Sequence, residues 1–499
     1  MSKKLSFLDK TFWITESEDN PKHVASLQLL EMPEDASPSY VEDLCTEVKQ
    51  FDKGVSPFNG TVKSFMGFPI GLNEIETLDM DYHVKYHVVD DVNDKEALHK
   101  FVAKLHEQWL DRDKPLWQYH FITDNHSNVY AIYAKVHHLY GDGATLIRWF
   151  QAGYLPEKNT DAFIPVWAAK RRSRKRRKLG ILTLIFGGAF ELFMVVFDLL
   201  YIVLRLLMKL TRINSTYMPL PFSGTKTLLT GQVKKGRVVS TVDLNFARVR
   251  GLSKRARASA NEILLCCFDI GVHRFLMDRG HTFKKALYTN MPINLRKPGD
   301  QAAGNKIAIV PVRLAHGKND PYLRLRQIIE NHRIVKRAAK RSRPLAFSYY
   351  TVLIQSYSLI FEMLKLSDFV RPIANILISN VPGPTDVRYL KDSKLLACYP
   401  ISTMTPGGGV NITLITYAGT ANVGIVCCDK NVKSLETLSV YFTEAFEMLE
   451  KCIDDPSLNI DDIGERVRQT DLSIVDDEVY VDDADHEHLD TDEATKKSA

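Results

Sequence analysis

The sequence predicts a two-domain α/β protein, and three observations support that prediction. The chain has 499 residues, which is too long for one hydrophobic core of ordinary size. Strand-like runs alternate with helix-like runs in its first and last parts, as in layered α/β folds. Between these parts lies a stretch of different composition. We therefore predict domains over residues 1–155 and 236–462, joined by a linker over 156–235.

The first part consists of short alternating elements. Residues 6–13 predict a short helix, and residues 23–30 predict a strand in which apolar side chains occupy every second position. Residues 94–110 have apolar side chains at helical spacing. Residues 118–124 and 129–136 predict a hairpin across a polar turn. The other elements predicted for this part are a helix over 40–51 and a strand over 82–89.

The second part repeats this alternation. Its predicted strands are 238–244, 286–293, 306–314, 373–379, 395–401 and the two arms of a hairpin over 409–428. Its predicted helices are 248–258, 261–276, 321–340, 352–364 and 435–452. This order again indicates sheets covered by helices.

The linker contains a basic run followed by a long apolar stretch. Residues 170–178 hold eight bases in nine positions, and residues 179–210 are mostly apolar. As one helix the apolar stretch would be about 48 Å long, against about 30 Å for a bilayer core. A single crossing would put the two domains on opposite sides of a membrane. The sequence therefore favours a helix that is interfacial or re-entrant, with the basic run on anionic headgroups. The alternative for the basic run, a nucleic-acid or nuclear-localisation patch, lacks interleaved aromatic residues.

The charge of the chain is unevenly distributed. The net charge is +5, but residues 471–499 hold eleven acids against two lysines, a net of −9, which leaves +14 on residues 1–470. A basic body suggests an anionic ligand or surface, and the tail over 463–499 is expected to be disordered. No secretory signal is recognisable at the start, so we expect the protein on the cytoplasmic side of a membrane. The seven cysteines show no CxxC spacing, and no metal site is expected.

Two adjacent histidines, His137 and His138, follow the predicted strand 129–136 and lead into a turn that contains Asp142 and Gly143. Neighbouring strand residues point to opposite faces, so the pair is poorly placed to bind one metal ion. One histidine should face a cleft and the other should support the fold. A histidine of near-neutral pKa, without a GxSxG nucleophile, suits a general base that deprotonates its substrate directly. The alternative is a buried pair with a structural role only.

Several motifs resemble known acyltransferases. The pattern from His137 to Gly143 is shared by CoA-dependent acyltransferases of the chloramphenicol acetyltransferase type and by condensation domains of peptide synthetases. Residues 110–117 (LDRDKPLW), 379–384 (SNVPGP) and 407–419, together with 291–296, resemble the wax ester synthase/diacylglycerol acyltransferase family. The resemblance covers roughly residues 5–460. It implies two chloramphenicol-acetyltransferase-like domains with the active-site channel at their interface.

The resemblance also implies a reaction. It is the transfer of a fatty acyl group from acyl-CoA to a long-chain alcohol or to diacylglycerol, without a covalent intermediate and without a cofactor. The implied partners are these substrates and an anionic membrane or lipid-droplet surface, with no nucleic acid. A homodimer is compatible with the sequence. Two alternatives stay open, a condensation-type domain that uses carrier-bound acyl groups and a non-catalytic scaffold on a membrane or lipid droplet.

The resemblance assigns roles to the histidine motif. His138 would be the base, with His137 supporting it and Gly143 beside it. Asp142 would be a structural partner of an arginine, for which Arg296 is our hypothesis.

Other polar residues are candidates for contact with the substrate or the oxyanion: Asn261, Asn380, Asn411 and Thr413. Asn411 and Thr413 should point to the same side of one strand. The family's usual Asn-Asp pair appears here as Asn261-Glu262, which puts a carboxylate-specific role there in question.

Two further stretches have structural interpretations. Pro115, Leu116 and Trp117 carry no titratable group, so we expect them to support the fold. Residues 380–384 predict a turn, because they contain two prolines and a glycine.

Overall fold

The computed structural model describes residues 5, 7–158, 163–169, 181–213, 217–294, 307–430 and 432–455. Within them, two six-stranded sheets are covered by helices, which confirms the predicted mixed α/β class. The basic run 170–178, Arg296 and the tail 463–499 lie outside the described residues.

The first part of the chain supplies α1 (Phe7–Ile14), β1 (His23–Glu31), α2 (Tyr40–Lys49), β2 (Gly60–Phe65), β3 (Phe68–Glu74), α3 (Met80–His83), β4 (Val84–Val88), α4 (Lys95–Glu107), β5 (Trp117–Thr123), β6 (Val129–His137) and α5 (Gly143–Gly153). Next come α6 (Ile181–Leu210), β7 (Arg237–Asn245), α7 (Phe246–Arg255), α8 (Ala260–Met277), β8 (Tyr288–Asn294), β9 (Ile307–Arg313), α9 (Pro321–Arg341) and α10 (Pro344–Met363). The last elements are β10 (Ile376–Pro382), β11 (Tyr389–Leu390), β12 (Ser393–Ile401), β13 (Val410–Tyr417), β14 (Thr420–Cys428) and α11 (Glu436–Ile453).

The first sheet has the order β11-β12-β1-β6-β5-β4. Its pairs are antiparallel except for β4 with β5. The register of β1 against β6 places His137 opposite His23. The sheet therefore delivers the histidine motif at the end of a central strand.

The second sheet has the order β7-β14-β13-β10-β8-β9. Its three central strands, β13, β10 and β8, run parallel. The register of β10 against β13 places Ser379 opposite Thr413. Two of the predicted motif stretches are thus neighbours in this sheet.

Strand β12 connects the two sheets. It follows β10 in the chain but pairs with β1 in the first sheet, and the chain then returns to the second sheet as β13. The sheets also touch directly, since a Cβ on Gly424 of β14 would lie 1.9 Å from the carbonyl oxygen of Pro400. The sheets therefore do not follow the single division of the chain that we drew between 1–155 and 236–462.

Helices α6 and α10 pack against each other. The Asp198 carboxylate on α6 accepts hydrogen bonds from the backbone N–H of Arg343 at 3.0 Å and from its guanidinium at 3.1 Å. Helix α10 begins eight residues before the predicted start, at Pro344, because proline is well suited to the first helical position. In the described part of the chain, no helix combines the length and the apolar content needed to cross a membrane.

Two local predictions were incomplete or wrong. The hairpin formed by β2 and β3 was not predicted. Residues 380–382 were predicted as part of a turn, but they continue β10 and pair with β13. Pro382 is tolerated there because it is the last residue of the strand. The chain leaves the strand at Gly383, where a Cβ would lie 2.5 Å from the carbonyl oxygen of Thr416.

Candidate active site

A cavity of about 750 Å³ lies between the two sheets. Its walls come from α1, β1, β6 and α5 of the first part of the chain and from α10, β10, β12 and β13 of the remainder. Most of the lining side chains are apolar. Ligand sites in proteins typically have volumes of roughly 300–1,000 Å³, so this cavity can hold a sizeable apolar molecule.

His138 lies on the wall of this cavity, directly after β6. Its ring stacks on Phe12 of α1, with 4.0 Å between ring centroids and 12° between ring planes. Its backbone N–H donates to the Lys22 carbonyl at 2.9 Å. Backbone and ring are both held, so the imidazole has a defined orientation.

The pKa of His138 is lower than the near-neutral value that we expected. Burial lowers the pKa of His138 to about 4, although the nearby Asp142 and Asp9 carboxylates oppose the shift. The imidazole is therefore neutral at physiological pH and able to accept a proton.

His137 is buried. Its Nδ1 accepts a hydrogen bond from the Leu139 N–H at 3.0 Å, and its Nε2 lies 3.4 Å from Oε1 of Glu16. The two adjacent histidines thus have different surroundings, one on the cavity wall and one in the protein core.

Glu16 and Arg112 extend this arrangement, and neither was among our candidates. Arg112 donates to Glu16 Oε2 at 3.1 Å, and the Lys22 N–H donates to Glu16 Oε1 at 3.0 Å. Burial alone would raise the pKa of Glu16, but the interactions with His137, Lys22 and Arg112 lower it to about 2. Arg112 lies in the motif 110–117, so the sequence could have identified it as a site residue. Glu16 lies in no motif that would have identified it.

Asp142 fixes the turn after the histidines. It is fully buried and caps α5, where its carboxylate accepts from the Thr145 N–H at 3.0 Å and from the Thr145 hydroxyl at 2.9 Å. Gly143 is the first residue of α5 and lines the cavity, and a Cβ there would lie 3.1 Å from Val381. The pairing of Asp142 with Arg296 stays a prediction, because Arg296 is outside the described range.

Pro115, Leu116 and Trp117 are buried next to the histidine motif. The Leu116 carbonyl accepts a hydrogen bond from the His137 N–H at 2.9 Å. The backbone N–H of Leu116 donates to the Tyr140 hydroxyl at 2.9 Å. The Trp117 indole donates to the Phe58 carbonyl at 2.8 Å. This segment therefore holds the histidine turn through its backbone.

Asn261 and Asn380 lie together, and the Asn380 amide donates a hydrogen bond to the Asn261 side-chain oxygen. Asn380 lines the cavity. The neighbouring Glu262 has a different environment: it forms a capping box with Ser259 at the start of α8 and lies 3.1 Å from Nδ1 of His332. Its carboxylate is thus engaged within the second part of the chain.

Asn411 and Thr413 both line the cavity from β13. The Thr413 hydroxyl donates to the Asn411 side-chain oxygen at 2.7 Å, and the Asn411 amide donates to the Thr403 carbonyl at 2.7 Å. The hydroxyl hydrogen of Thr413 is thus directed at Asn411. Within the described residues the Asn411 amide has one acceptor, the Thr403 carbonyl, which leaves its second N–H for a ligand.

Family models match most of the chain. A model of the wax ester synthase/diacylglycerol acyltransferase catalytic domain matches residues 5–264, and a model of the WS/DGAT C-terminal domain matches residues 303–450. The O-acyltransferase WSD of Acinetobacter baylyi is 24% identical over 454 residues, which cover 89% of this chain and 96% of that protein. A putative diacylglycerol O-acyltransferase of Mycobacterium bovis is 25% identical over 454 residues, covering 89% and 98%.

Solved structures support the fold. The wax ester synthase/diacylglycerol acyltransferase from Marinobacter aquaeolei superposes with a TM-score of 0.70 at 21% identity, covering 90% of this chain and 99% of that chain. The first condensation domain of the calcium-dependent antibiotic synthetase superposes with a TM-score of 0.57 at 14% identity, covering 92% and 98%. The predicted two-domain architecture is confirmed. Since the first family model alone spans more than half of its residues, the chain belongs to the wax ester synthase/diacylglycerol acyltransferase family.

Proposed function

We propose that the protein transfers a fatty acyl group from acyl-CoA to a long-chain alcohol or to diacylglycerol, with His138 as general base. The observation that carries the mechanism is the neutral, oriented imidazole of His138 on the wall of a large apolar cavity between the two sheets. Family membership supports acyl-CoA-dependent O-acyl transfer.

The chemistry balances without a covalent enzyme intermediate. His138 removes the hydroxyl proton of the acceptor as the hydroxyl oxygen attacks the thioester carbonyl carbon. The C–O bond forms, the C–S bond breaks, and the protonated histidine returns the proton to the departing thiolate. Hydrogen-bond donors would stabilise the negative oxygen of the tetrahedral intermediate. The amides of Asn380 and Asn411 are the candidates that reach the cavity wall.

The acyl-transfer activity is tested with the purified full chain. Palmitoyl-CoA with hexadecanol, or with diacylglycerol, should release free CoA thiol and form ester in equal molar amounts. Thiol release without ester would indicate hydrolysis. If neither free thiol nor ester forms, the proposal is contradicted and the scaffold alternative is favoured.

We further propose that the protein works on a lipid surface, a membrane or a lipid droplet. From residue 193 to residue 210, the exposed side chains of α6 are all aliphatic or aromatic, while its charged residues Asp198, Arg205 and Lys209 are less exposed. Helix α10 beside it also exposes large apolar side chains, including Leu353 and Ile360. Exposed apolar surface on two packed helices is typical of an interaction with an apolar partner, and the acceptors themselves partition into lipid.

Leu200 and Leu204 of α6 provide a test of the lipid surface. Both are more than half exposed, and burying a leucine in an apolar phase stabilises by about 1.5–3 kcal/mol. Changing both to glutamate should therefore lower the affinity for vesicles that contain anionic lipid by at least tenfold, measured by flotation. The matched control changes Val440 and Met448, exposed apolar residues of α11, to glutamate. Equal binding by both double variants would contradict a role for α6.

A further inference from the structure

Two hydrogen-bond donors on the cavity wall have no role in the proposed proton transfer. One is Lys22, between α1 and β1, whose side chain is almost fully buried. Its Nζ donates to the Met404 carbonyl at 3.3 Å. A lysine ammonium has three N–H donors, and within the described residues that carbonyl is its one acceptor. Lys22 therefore retains donor capacity at the cavity.

The second donor is Gln355 of helix α10, which also lines the cavity. Its Nε2 is buried and makes no hydrogen bond to any described residue. A side-chain amide nitrogen carries two N–H donors. Two donor groups from distant parts of the chain thus line one cavity.

Lys22 is mostly charged at neutral pH, although its burial disfavours the charge. Burial lowers its pKa to about 8, while the Glu362 and Glu16 carboxylates oppose the shift. Glu362 itself is fixed, because it accepts from the Asn20 amide at 2.7 Å and from the Gly407 N–H at 3.1 Å. At neutral pH the Lys22 amine is therefore protonated in most molecules and acts as a cationic donor.

Buried donors without an acceptor are unfavourable, by about 1–3 kcal/mol each. In a largely apolar cavity, a bound molecule that supplies acceptor oxygens relieves this penalty. A simple fatty alcohol offers only the hydroxyl that reacts. A diacylglycerol has two ester groups beside its hydroxyl, and each ester carbonyl accepts hydrogen bonds.

We propose that Lys22 and Gln355 form a polar subsite for the ester oxygens of an acylglycerol acceptor, so that this protein selects acylglycerols over simple fatty alcohols. This inference rests on the proposed acyl transfer and names its acceptor class. A site built to hydrogen-bond a substrate discriminates against an analogue without the matching groups, because its own polar groups stay unpaired. Lys22 and Gln355 would select acylglycerols for this reason, because a simple fatty alcohol leaves their donors unpaired.

The test compares two acceptors at saturating palmitoyl-CoA. Diacylglycerol and hexadecanol are presented in the same mixed micelles to the full chain and to the variants Lys22→Met and Gln355→Leu, which remove the donors at similar size. The ratio of kcat/KM for diacylglycerol over hexadecanol should fall about tenfold in each variant, the effect of losing one hydrogen bond of about 1.4 kcal/mol. Lys22→Arg retains a charged donor and should keep the ratio closer to that of the wild type.

Thr351→Val is the matched control on α10. The Thr351 hydroxyl donates to the Ser348 carbonyl of its own helix at 2.9 Å, so its loss should leave the ratio unchanged. An equal fall for both acceptors in Lys22→Met and Gln355→Leu, or no change, would overturn the subsite. A wild-type protein inactive with both acceptors would instead contradict the proposed transfer. Calorimetric binding of dioctanoylglycerol against decanol then decides the subsite without turnover, since both variants should weaken binding of the former.

Discussion

Replacing His138 with alanine should lower kcat for acyl transfer by roughly 10²–10⁴-fold, the usual contribution of a general base. The imidazole is oriented by its stacking on Phe12 and by the hydrogen bond of its backbone N–H to the Lys22 carbonyl. No other histidine lines the cavity among the described residues, so no second imidazole is in place to replace it. The measurement is thiol release from palmitoyl-CoA with hexadecanol as acceptor.

The pH profile of the wild type gives a second readout of the same role. The pKa of His138 is about 4 rather than 6.5, so the base form is present above that value and is lost as pH falls through it. The rate should therefore stay level through the range where an ordinary histidine titrates.

His126→Ala, on the exposed turn after β5, is the matched control for His138→Ala and should retain wild-type turnover. If His138→Ala keeps its rate, the assigned base is wrong.

Replacing Trp117 with alanine should destabilise the protein by about 3–5 kcal/mol, the range for large aromatic side chains in a core. Trp117 is fully buried, its indole donates to the Phe58 carbonyl at 2.8 Å, and its ring stacks on Trp167 with 4.9 Å between centroids. The measurement is the urea midpoint and slope of unfolding, followed by circular dichroism.

Trp109→Ala is the comparison for Trp117. Trp109 is 38% exposed, so its side chain buries less apolar surface on folding than that of Trp117. Trp109→Ala should therefore lower the free energy of unfolding by clearly less than Trp117→Ala. Similar losses for the two variants would mean that Trp117 does not have the central packing role that its burial indicates.

Local sequence patterns predicted much of the fold, and several of the predicted site residues line one cavity. Neighbouring residues of a strand point to opposite faces, which predicted different surroundings for His137 and His138. The structure places His138 on the cavity wall and His137 in the core. The hairpin of β5 and β6 was predicted from two β-rich runs around a polar turn, and it is present. Patterns of this kind succeed because the periodicity and the turn chemistry lie within a few residues of each other.

Features that depend on distant parts of the chain were not predicted. The sequence of β12 gives no sign that it joins the first sheet, because any strand with an apolar face would fit either sheet. Lys22, between α1 and β1, and Gln355, on α10, line the same cavity, and neither stands in a recognisable motif. Glu262 departed from the family pattern, and only the structure reveals its contact with His332 on α9.

The pairing of β12 with β1 sets the order in which the protein becomes complete during synthesis. Strand β1 gains β6 early, but its other neighbour ends at Ile401, so the ribosome adds about 370 residues after Glu31 before that edge is covered. At 5–20 residues per second this takes roughly 20–70 s. Throughout that time an apolar strand edge is open to wrong partners. The nascent chain also lacks the cavity between the two sheets, so no molecule bound there can assist folding until synthesis is nearly finished.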